Sequence, residues 1–331
     1  MKLLILGGTE FVGRAVAEAA TARGWQVTVF HRGRHAAPEG VTALQGDRGG
    51  APAGLAALEE GEWDAVVDTW SGAPSAVRDA ARLLAGRAGR YAYISSCSVY
   101  AFPPTGRLTE RSPVVAAPLD APDAPDADTY ATDKRGGELA ALDAFGDRAL
   151  LVRAGLILGP YENIGRLTWW LSRIARGGPV LAPGPRDLPL QYIDARDLAE
   201  WTLDAVRDGL DGPYNLVSEL GHATMGELLE SCAAATGADA ALRWTPPEDV
   251  LAAGIAPWTE LPVWLPPGEV RDALYGSDVS KVLAAGLRCR PVSETVADTW
   301  AWLRRIGGEA PLRPDRPAIG LPAEKEAAAL R

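Results

Sequence analysis

A tyrosine and a lysine four residues apart, Tyr130 and Lys134 in TYATDK, are the side chains best suited to proton chemistry. Positions four apart share one face of a helix, so the phenol and the ammonium would stand one turn from each other. The stretch before them, APLDAPDAPDADT, reads as a Pro/Asp-rich loop in which Asp128 or Thr129 caps the helix. Taken alone the pair is ambiguous. The same string is an ordinary helix start with one aromatic and one base, and such strings arise often by chance.

A second constellation lies near residue 7. LILGGTEFVG joins an apolar run to a helical pattern, and Gly7, Glu10 and Gly13 fill the three positions of a G-x-x-G-x-x-G loop. Gly7 allows a tight turn, Gly13 allows close helix–strand packing, and the helix start offers free N–H groups to a pyrophosphate. Thr9, Glu10, Phe11 and Val12 complete the expected dinucleotide contacts. Glu10 replaces the middle glycine, so its carboxylate must point away or touch a ribose hydroxyl. The second strand ends in His31-Arg32-Gly33-Arg34-His35 rather than in an acid. Guanidinium groups suit a 2′-phosphate, so Arg32 favours NADP(H) over NAD(H); a solvated basic turn is the plain alternative. Asp47 and Arg48 in GDR, and Asp68-Thr69-Trp70 at the end of another strand, are further expected cofactor contacts, with Asp47 placed to accept from the adenine amino group.

These residues need a frame. Leu3–Leu6, Val27–Phe30, Ala65–Val67 and Tyr91–Ile94 read as strands, with Val41–Leu44 as a short one. Phe11–Arg23 and Ser75–Leu84 read as helices, and Ala149–Leu158 contains a further strand. Apolar strands alternating with amphipathic helices predict a parallel sheet covered on both faces. After Gly159-Pro160 come a helix around Trp169-Trp170, a Pro/Gly-rich run over Gly177–Pro189, a helix over Asp194–Arg207 and a strand at Tyr214–Val217. Gly221 to about Arg305 reads as helices with Trp/Pro-rich loops. The expectation is an α/β doubly wound Rossmann domain over 1–160 and about 187–218. A smaller, mostly helical substrate domain follows over about 161–186 and 219–306, with a Pro-rich tail over 307–331.

The bulk properties are ordinary for a soluble globular protein. The chain has 331 residues, a net charge of −10 and 47% hydrophobic residues. An acidic chain repels phosphate backbones, so nucleic acid is not an expected partner. Cys97, Cys232 and Cys289 fit neither a disulfide framework nor a metal site, and no metal is expected. MKLLILGG is too short for a signal peptide and no run reaches membrane length, so the cytoplasm is the expected location.

Together, LILGGTEFVG, GDR, YISSCSVYA, YATDK, RAGLILGP, QYIDARDLA and PYNL resemble the extended short-chain dehydrogenase/reductases, the NAD-dependent epimerase/dehydratase family, over nearly the whole chain. The GGTxFxG loop looks like that of the chloroplast stem-loop-binding members, which often lack the usual active-site residues; this chain keeps them. The resemblance implies Ser96, four residues before Tyr100, as the catalytic hydroxyl, with Tyr130 as acid/base and Lys134 beside it. It also implies a homodimer formed through helices next to the Tyr–Lys helix. A phenol with a pKa near 10 needs about 3–4 kcal/mol of differential stabilisation to titrate ~2–3 units lower, which a nearby ammonium and an oxidised nicotinamide can supply.

The departures narrow the chemistry. Cys97 and Ser98 stand where the family's 4,6-dehydratases place Asp-Glu, and Leu156 stands where many sugar-nucleotide enzymes have Asn. The leading expectation is therefore an NAD(P)-dependent oxidoreductase acting on a small carbonyl or alcohol. The alternatives are a sugar or sugar-nucleotide epimerase working through a keto intermediate and, in another class, a non-catalytic dinucleotide-binding or RNA-associated protein. Ser98, Trp169, Trp170 and Arg196 are the candidate substrate contacts, with Trp258 and Trp264 as further aromatic candidates, although each tryptophan reads better as core or domain-interface packing. Arg166, Arg173 and Arg186 could pair with an acidic substrate but read better as solvated surface. His222 reads as a loop residue.

Overall fold

The computed structural model describes residues 1–331 except 50–51, 105, 119–128 and 315–317. The described chain forms two compact units. The first comprises Met1–Gly155, Arg196–Val217 and Ser277–Arg288. The second comprises Leu156–Ala195, Ser218–Gly276 and Cys289–Arg331. The first unit thus takes in Ser277–Arg288, a stretch that the sequence pattern groups with the substrate domain.

In chain order the elements begin β1 (Lys2–Leu6), α1 (Phe11–Ala22), β2 (Gln26–His31), β3 (Thr42–Gln45), β4 (Trp63–Asp68), α2 (Pro74–Leu84), β5 (Ala88–Ser96), α3 (Tyr130–Phe145) and β6 (Ala149–Ala154). Next come β7 (Leu156–Leu158), α4 (Arg166–Ala175), β8 (Gly178–Pro183), β9 (Pro189–Leu190), β10 (Tyr192–Asp194), α5 (Ala195–Asp208) and β11 (Gly212–Leu216). The remainder are β12 (Ala223–Thr224), α6 (Met225–Thr236), β13 (Ala240–Thr245), α7 (Pro247–Ala252), α8 (Glu269–Leu274), α9 (Ser280–Ala284), α10 (Val292–Arg305) and α11 (Ala323–Ala329).

Seven strands of the first unit form one parallel sheet in the order β3-β2-β1-β4-β5-β6-β11. This is the doubly wound Rossmann order, and the strand sequence reverses between β1 and β4. Leu3, Leu4, Ile5, Val66, Val67 and Tyr91 are fully buried, as expected of strands covered on both faces. Asn215 on β11 fastens the separate pieces of this unit. Its side-chain amide donates to the carbonyls of Leu108 and Asp278 at 3.0 Å, and its amide oxygen accepts from the Tyr100 hydroxyl at 2.5 Å.

The second unit packs α4, α6 and α10 around Leu167, Trp170, Leu171, Ile174, Trp264 and Leu303. It holds more strand than its sequence suggests. β8 runs through the Pro/Gly-rich segment and pairs in parallel with β13, inside a stretch read as helical. Arg173 is a correction: it is no solvated surface residue but is 9% exposed, and its guanidinium pairs with Glu326 at 2.6 Å and reaches the carbonyls of Gly177 and Pro179. No described helix is long and apolar enough to cross a membrane.

Candidate active site

The glycine loop leaves β1 and enters α1 at the point where the strand order reverses. A Cβ on Gly7 would lie 2.2 Å from Thr69 Oγ1, and one on Gly13 would lie 2.5 Å from the Gly8 amide nitrogen. Gly7 also has φ of +120°. Any side chain at these positions would displace the loop from β4 or lift α1 off it, so the glycines keep this turn tight and bare. Thr69 braces the loop through its hydroxyl, which donates to the Leu6 carbonyl at 3.0 Å. Glu10 takes the N-cap position of α1 in an extended conformation and makes no capping bond with its side chain. Its carboxylate lies 3.5 Å from His35 Nε2. Phe11 follows with φ of +35°, and Val12 is buried against the sheet. The N-cap side chain thus makes no bond to the helix start, and the bare glycine loop fits the pyrophosphate of a dinucleotide.

At the ends of β2 and β3, Arg32, Arg34, Gln45, Gly46 and Asp47 line a cavity of about 410 Å³. Arg32 and Arg34 are exposed. Asp47 Oδ1 accepts from the Gly49 N–H at 3.1 Å.

Arg48 and Asp68, both expected at the cofactor, engage each other with their charged groups. Asp68 is fully buried at the end of β4, and Arg48 holds it with two bonds of 2.5 and 2.8 Å. The carboxylate also accepts from the Tyr91 hydroxyl at 2.5 Å and from the Trp70 N–H at 2.9 Å. Burial alone would raise the Asp68 pKa, but the Arg48 charge and these bonds hold it below the usual carboxylate range. Burial and the same carboxylate push the Tyr91 phenol well up. The Arg48 guanidinium lies 5.2 Å over the Trp70 ring.

Trp70 leads directly to Lys134. The Trp70 carbonyl accepts from Lys134 Nζ at 2.5 Å and from the Tyr93 hydroxyl at 3.1 Å. Lys134 Nζ also donates to the Ile94 carbonyl at 2.7 Å and lies 4.9 Å over the Tyr93 ring. Lys134 is 3% exposed. A helix can approach β5 this closely because residue 137 lacks a side chain: a Cβ there would lie 2.4 Å from the Tyr93 hydroxyl oxygen. Tyr130 begins α3 one turn before Lys134 and is half-buried. Thr129 holds the N-cap position, yet its hydroxyl donates to the Asp133 side chain rather than capping the backbone. Asp128, the other expected cap, lies outside the described residues.

Ser96 ends β5, two residues after Ile94. Its oxygen accepts from the Ser98 N–H at 3.1 Å and lies 3.1 Å from the Ser98 hydroxyl. Ser98 itself is exposed. Cys97 between them contacts the Arg153 carbonyl and Ser277, and burial pushes its thiol up to about 11.

Beneath this row lies a buried network that sequence reasoning missed. Glu138, fully buried one turn after Lys134, accepts from Ser95 Oγ at 2.8 Å, from Arg135 at 2.8 Å and from Arg153 at 2.8 and 3.0 Å. Arg153 also donates to the Tyr100 hydroxyl at 3.1 Å. The signal was present in the spacing, since Glu138 follows Lys134 by four and shares its helix face.

Trp170 is not a pocket residue. It is fully buried, and its indole N–H donates to the Pro262 carbonyl at 2.7 Å. Trp264 is buried likewise, bonded to the Gly184 carbonyl at 2.9 Å. An indole N–H bonded inside a core serves packing. Trp169 packs edge-on against Trp170 and remains half-buried, and Arg196 is half-buried on α5. His222 bonds the Arg290 carbonyl at 2.8 Å from a loop.

A profile of the NAD dependent epimerase/dehydratase family matches residues 3–216. The chain belongs to this family. As a member it is an enzyme, and its cofactor is of the nicotinamide dinucleotide kind. Similar solved structures include the Bordetella bronchiseptica enzyme WbmH in complex with NAD+. It is 18% identical with a TM-score of 0.68, and the match covers 92% of this chain and 99% of that one. The UDP-glucose 4-epimerase of Thermus thermophilus, in complex with NAD, is 21% identical with a TM-score of 0.64, covering 92% and 99%. Bifidobacterium longum UDP-glucose 4-epimerase, in complex with NAD+ and UDP, is 16% identical with a TM-score of 0.63, covering 92% and 98%. At such identities the likeness concerns the fold. No curated protein matches the chain.

Proposed function

We propose that this family member is an NADP(H)-preferring oxidoreductase acting on a small carbonyl or alcohol, with Tyr130 as acid/base. The observation that carries the reading is the anchoring of Lys134 Nζ by the Trp70 and Ile94 carbonyls, one helical turn after Tyr130 and at the strand end that bears Ser96. Gly7, Thr9 and Gly13 would hold the dinucleotide, which would supply or accept the hydride when bound. Tyr130 gives its phenolic proton to the carbonyl oxygen, or takes it from the hydroxyl in the reverse direction. Ser96 Oγ donates to the same oxygen and orients it, and the Lys134 charge stabilises the phenolate. Ser98, exposed beside Ser96, is a substrate contact.

The cavity beside Arg32 and Arg34 supports the NADP(H) preference, since two guanidinium groups match a 2′-phosphate in charge and fork geometry. Titration with NADPH and NADH by fluorescence tests this. Tight NADPH binding that weakens selectively in Arg32→Ala is expected; equal or better NADH binding defeats the preference. Activity is then sought with ketones and keto-sugars, where Tyr130→Phe should lose about 10²–10⁴-fold in kcat. A Tyr130→Phe variant as active as the wild type removes the assigned role.

Epimerisation through a keto intermediate is the second reading, favoured by the family match. Leu156 argues against a nucleotide-sugar substrate, because the position expected for Asn is apolar and 9% exposed within the core of the second unit. Net change of nicotinamide absorbance during turnover separates the two readings: a reductase changes it stoichiometrically and an epimerase does not. A homodimer and a cytoplasmic location belong to the same proposal, and light scattering of the purified protein checks the first.

A further inference from the structure

Arg48 lies far from Lys134 in sequence, yet an unbroken set of contacts joins them. Arg48 grips Asp68 with two bonds and lies over the Trp70 ring. Asp68 Oδ1 accepts from the Trp70 N–H. The Trp70 indole N–H donates to the Ala73 carbonyl at 3.0 Å, fixing the ring from its other edge. Trp70 is thus held at its backbone N–H, its ring face and its indole nitrogen. Its carbonyl, on the following peptide, accepts from the Tyr93 hydroxyl at 3.1 Å and from Lys134 Nζ at 2.5 Å.

We infer that Arg48, Asp68 and Trp70 form a tether that positions Lys134, so that Arg48 serves the reaction through the lysine rather than by touching the dinucleotide. This rests on the reading of Lys134 as part of the catalytic set. Three observations support it. The Arg48 side chain is 5% exposed and Asp68 fully buried, so neither charge is placed to meet a solvated ligand first. The pair is bidentate, the geometry that fixes orientation as well as attraction. A buried pair is weak evidence for stability, and holding a unique conformation is one of its attested uses. Trp70, Asp68 and Arg48 are thus positioning residues.

The chain contains only four lysines, Lys2, Lys134, Lys281 and Lys325, so the tether can be read directly. The full chain is acetylated with acetic anhydride at pH 8, with and without NADPH or NADH, and the rate at each lysine is followed by peptide mass spectrometry. In the wild type Lys134 should be the slowest and should slow further with the dinucleotide. Arg48→Met combined with Asp68→Asn removes the grip without leaving a buried charge. Lys134 should then label about tenfold faster, the equivalent of losing one charge-assisted hydrogen bond, while the other three lysines stay unchanged. Arg48→Lys keeps the charge but loses the fork, and should give roughly a threefold rise. Glu326→Ala, which breaks a buried pair of the second unit, controls for general loosening and should leave Lys134 slow.

Dinucleotide protection in the wild type, together with Lys134 rates within about twofold of wild type in the variants, overturns the tether alone. If the double variant does not fold, Arg48→Lys decides by the same criterion. Equal acceleration in Glu326→Ala also overturns it. If neither NADPH nor NADH slows Lys134 in the wild type, the catalytic reading of Lys134 falls, and the proposal with it.

Discussion

Each unit buries an arginine against a carboxylate. In the second, Arg173 pairs with Glu326, and the remaining bonds of both run to backbone: Gly177 and Pro179 carbonyls on one side, the Leu181 N–H on the other. In the first, Arg48 pairs with Asp68, and the bonds continue through Trp70 to a lysine ammonium. Chemistry and burial are nearly the same. What differs is where the partners lead: one pair fastens α11 to β8, whereas the other ends at the candidate active site. A buried ion pair therefore says little about role until its further partners are traced.

The largest expected effect breaks both pairs alike. Glu326→Ala and Asp68→Ala each leave a buried guanidinium uncompensated and should cost about 3–5 kcal/mol in denaturant unfolding. Only Asp68→Ala should also weaken dinucleotide binding. A matching loss of affinity in Glu326→Ala would erase the distinction. Glu138→Gln comes next. It removes the charge that Arg153 faces and should cost about 1.5–3 kcal/mol, read as a lower unfolding midpoint.

How much of this the sequence disclosed depended on the range of the interaction. β1, β2, β4 and β5 were legible because each is a short apolar run between helical patterns, and Gly7 and Gly13 because a loop is local. Arg48 and Asp68 were each noticed but not paired, since bonds across neighbouring elements leave no trace in periodicity. For Trp170 and Trp264 both a pocket and core packing stayed open, because composition cannot tell an indole facing a ligand from one facing a core carbonyl. β13 escaped because its exposed and half-buried residues alternate over only six positions and its partner β8 carries Pro179 and Pro183. Arg173 read as surface because Glu326 lies 153 residues away.

pH separates the units with opposite signs. Asp68 titrates below its unfolded value, so its stability is present above about 3.9 and is lost as pH falls through the folded value. Glu162, fully buried in the second unit, titrates above its ordinary value because burial outweighs the Arg166 charge and three backbone N–H bonds. Its contribution is present below about 4.3 and is lost as pH rises through the folded value. Unfolding free energies measured from pH 3 to 7 should show Asp68→Asn flattening the acid loss and Glu162→Gln flattening the loss on the rising side. The same slope in both variants would contradict the assignment.

The smallest signal comes from a thiol. With a pKa pushed up to about 11 by burial, Cys97 is ionised only about one part in a thousand at pH 8, so a disulfide reagent should modify it slowly and accelerate tenfold per pH unit. A fast reaction at pH 8 would mean that the end of β5 is open. Cys232 of the second unit is buried and also raised, and should stay unmodified until that unit unfolds.

Asn215 has a consequence for the order in which the molecule can be made. It binds Leu108 on one side and Asp278 on the other, so the first unit is completed only by chain that leaves the ribosome well after most of its sheet. Until Gly212–Leu216 emerges, β6 has a bare edge, a row of open N–H and C=O groups on a nascent polypeptide. At ordinary synthesis rates that interval lasts on the order of seconds, time enough for a neighbouring chain to pair there. Chaperone dependence and yield at high expression should therefore respond to changes at Asn215 more than the loss of its hydrogen bonds in the finished fold would suggest.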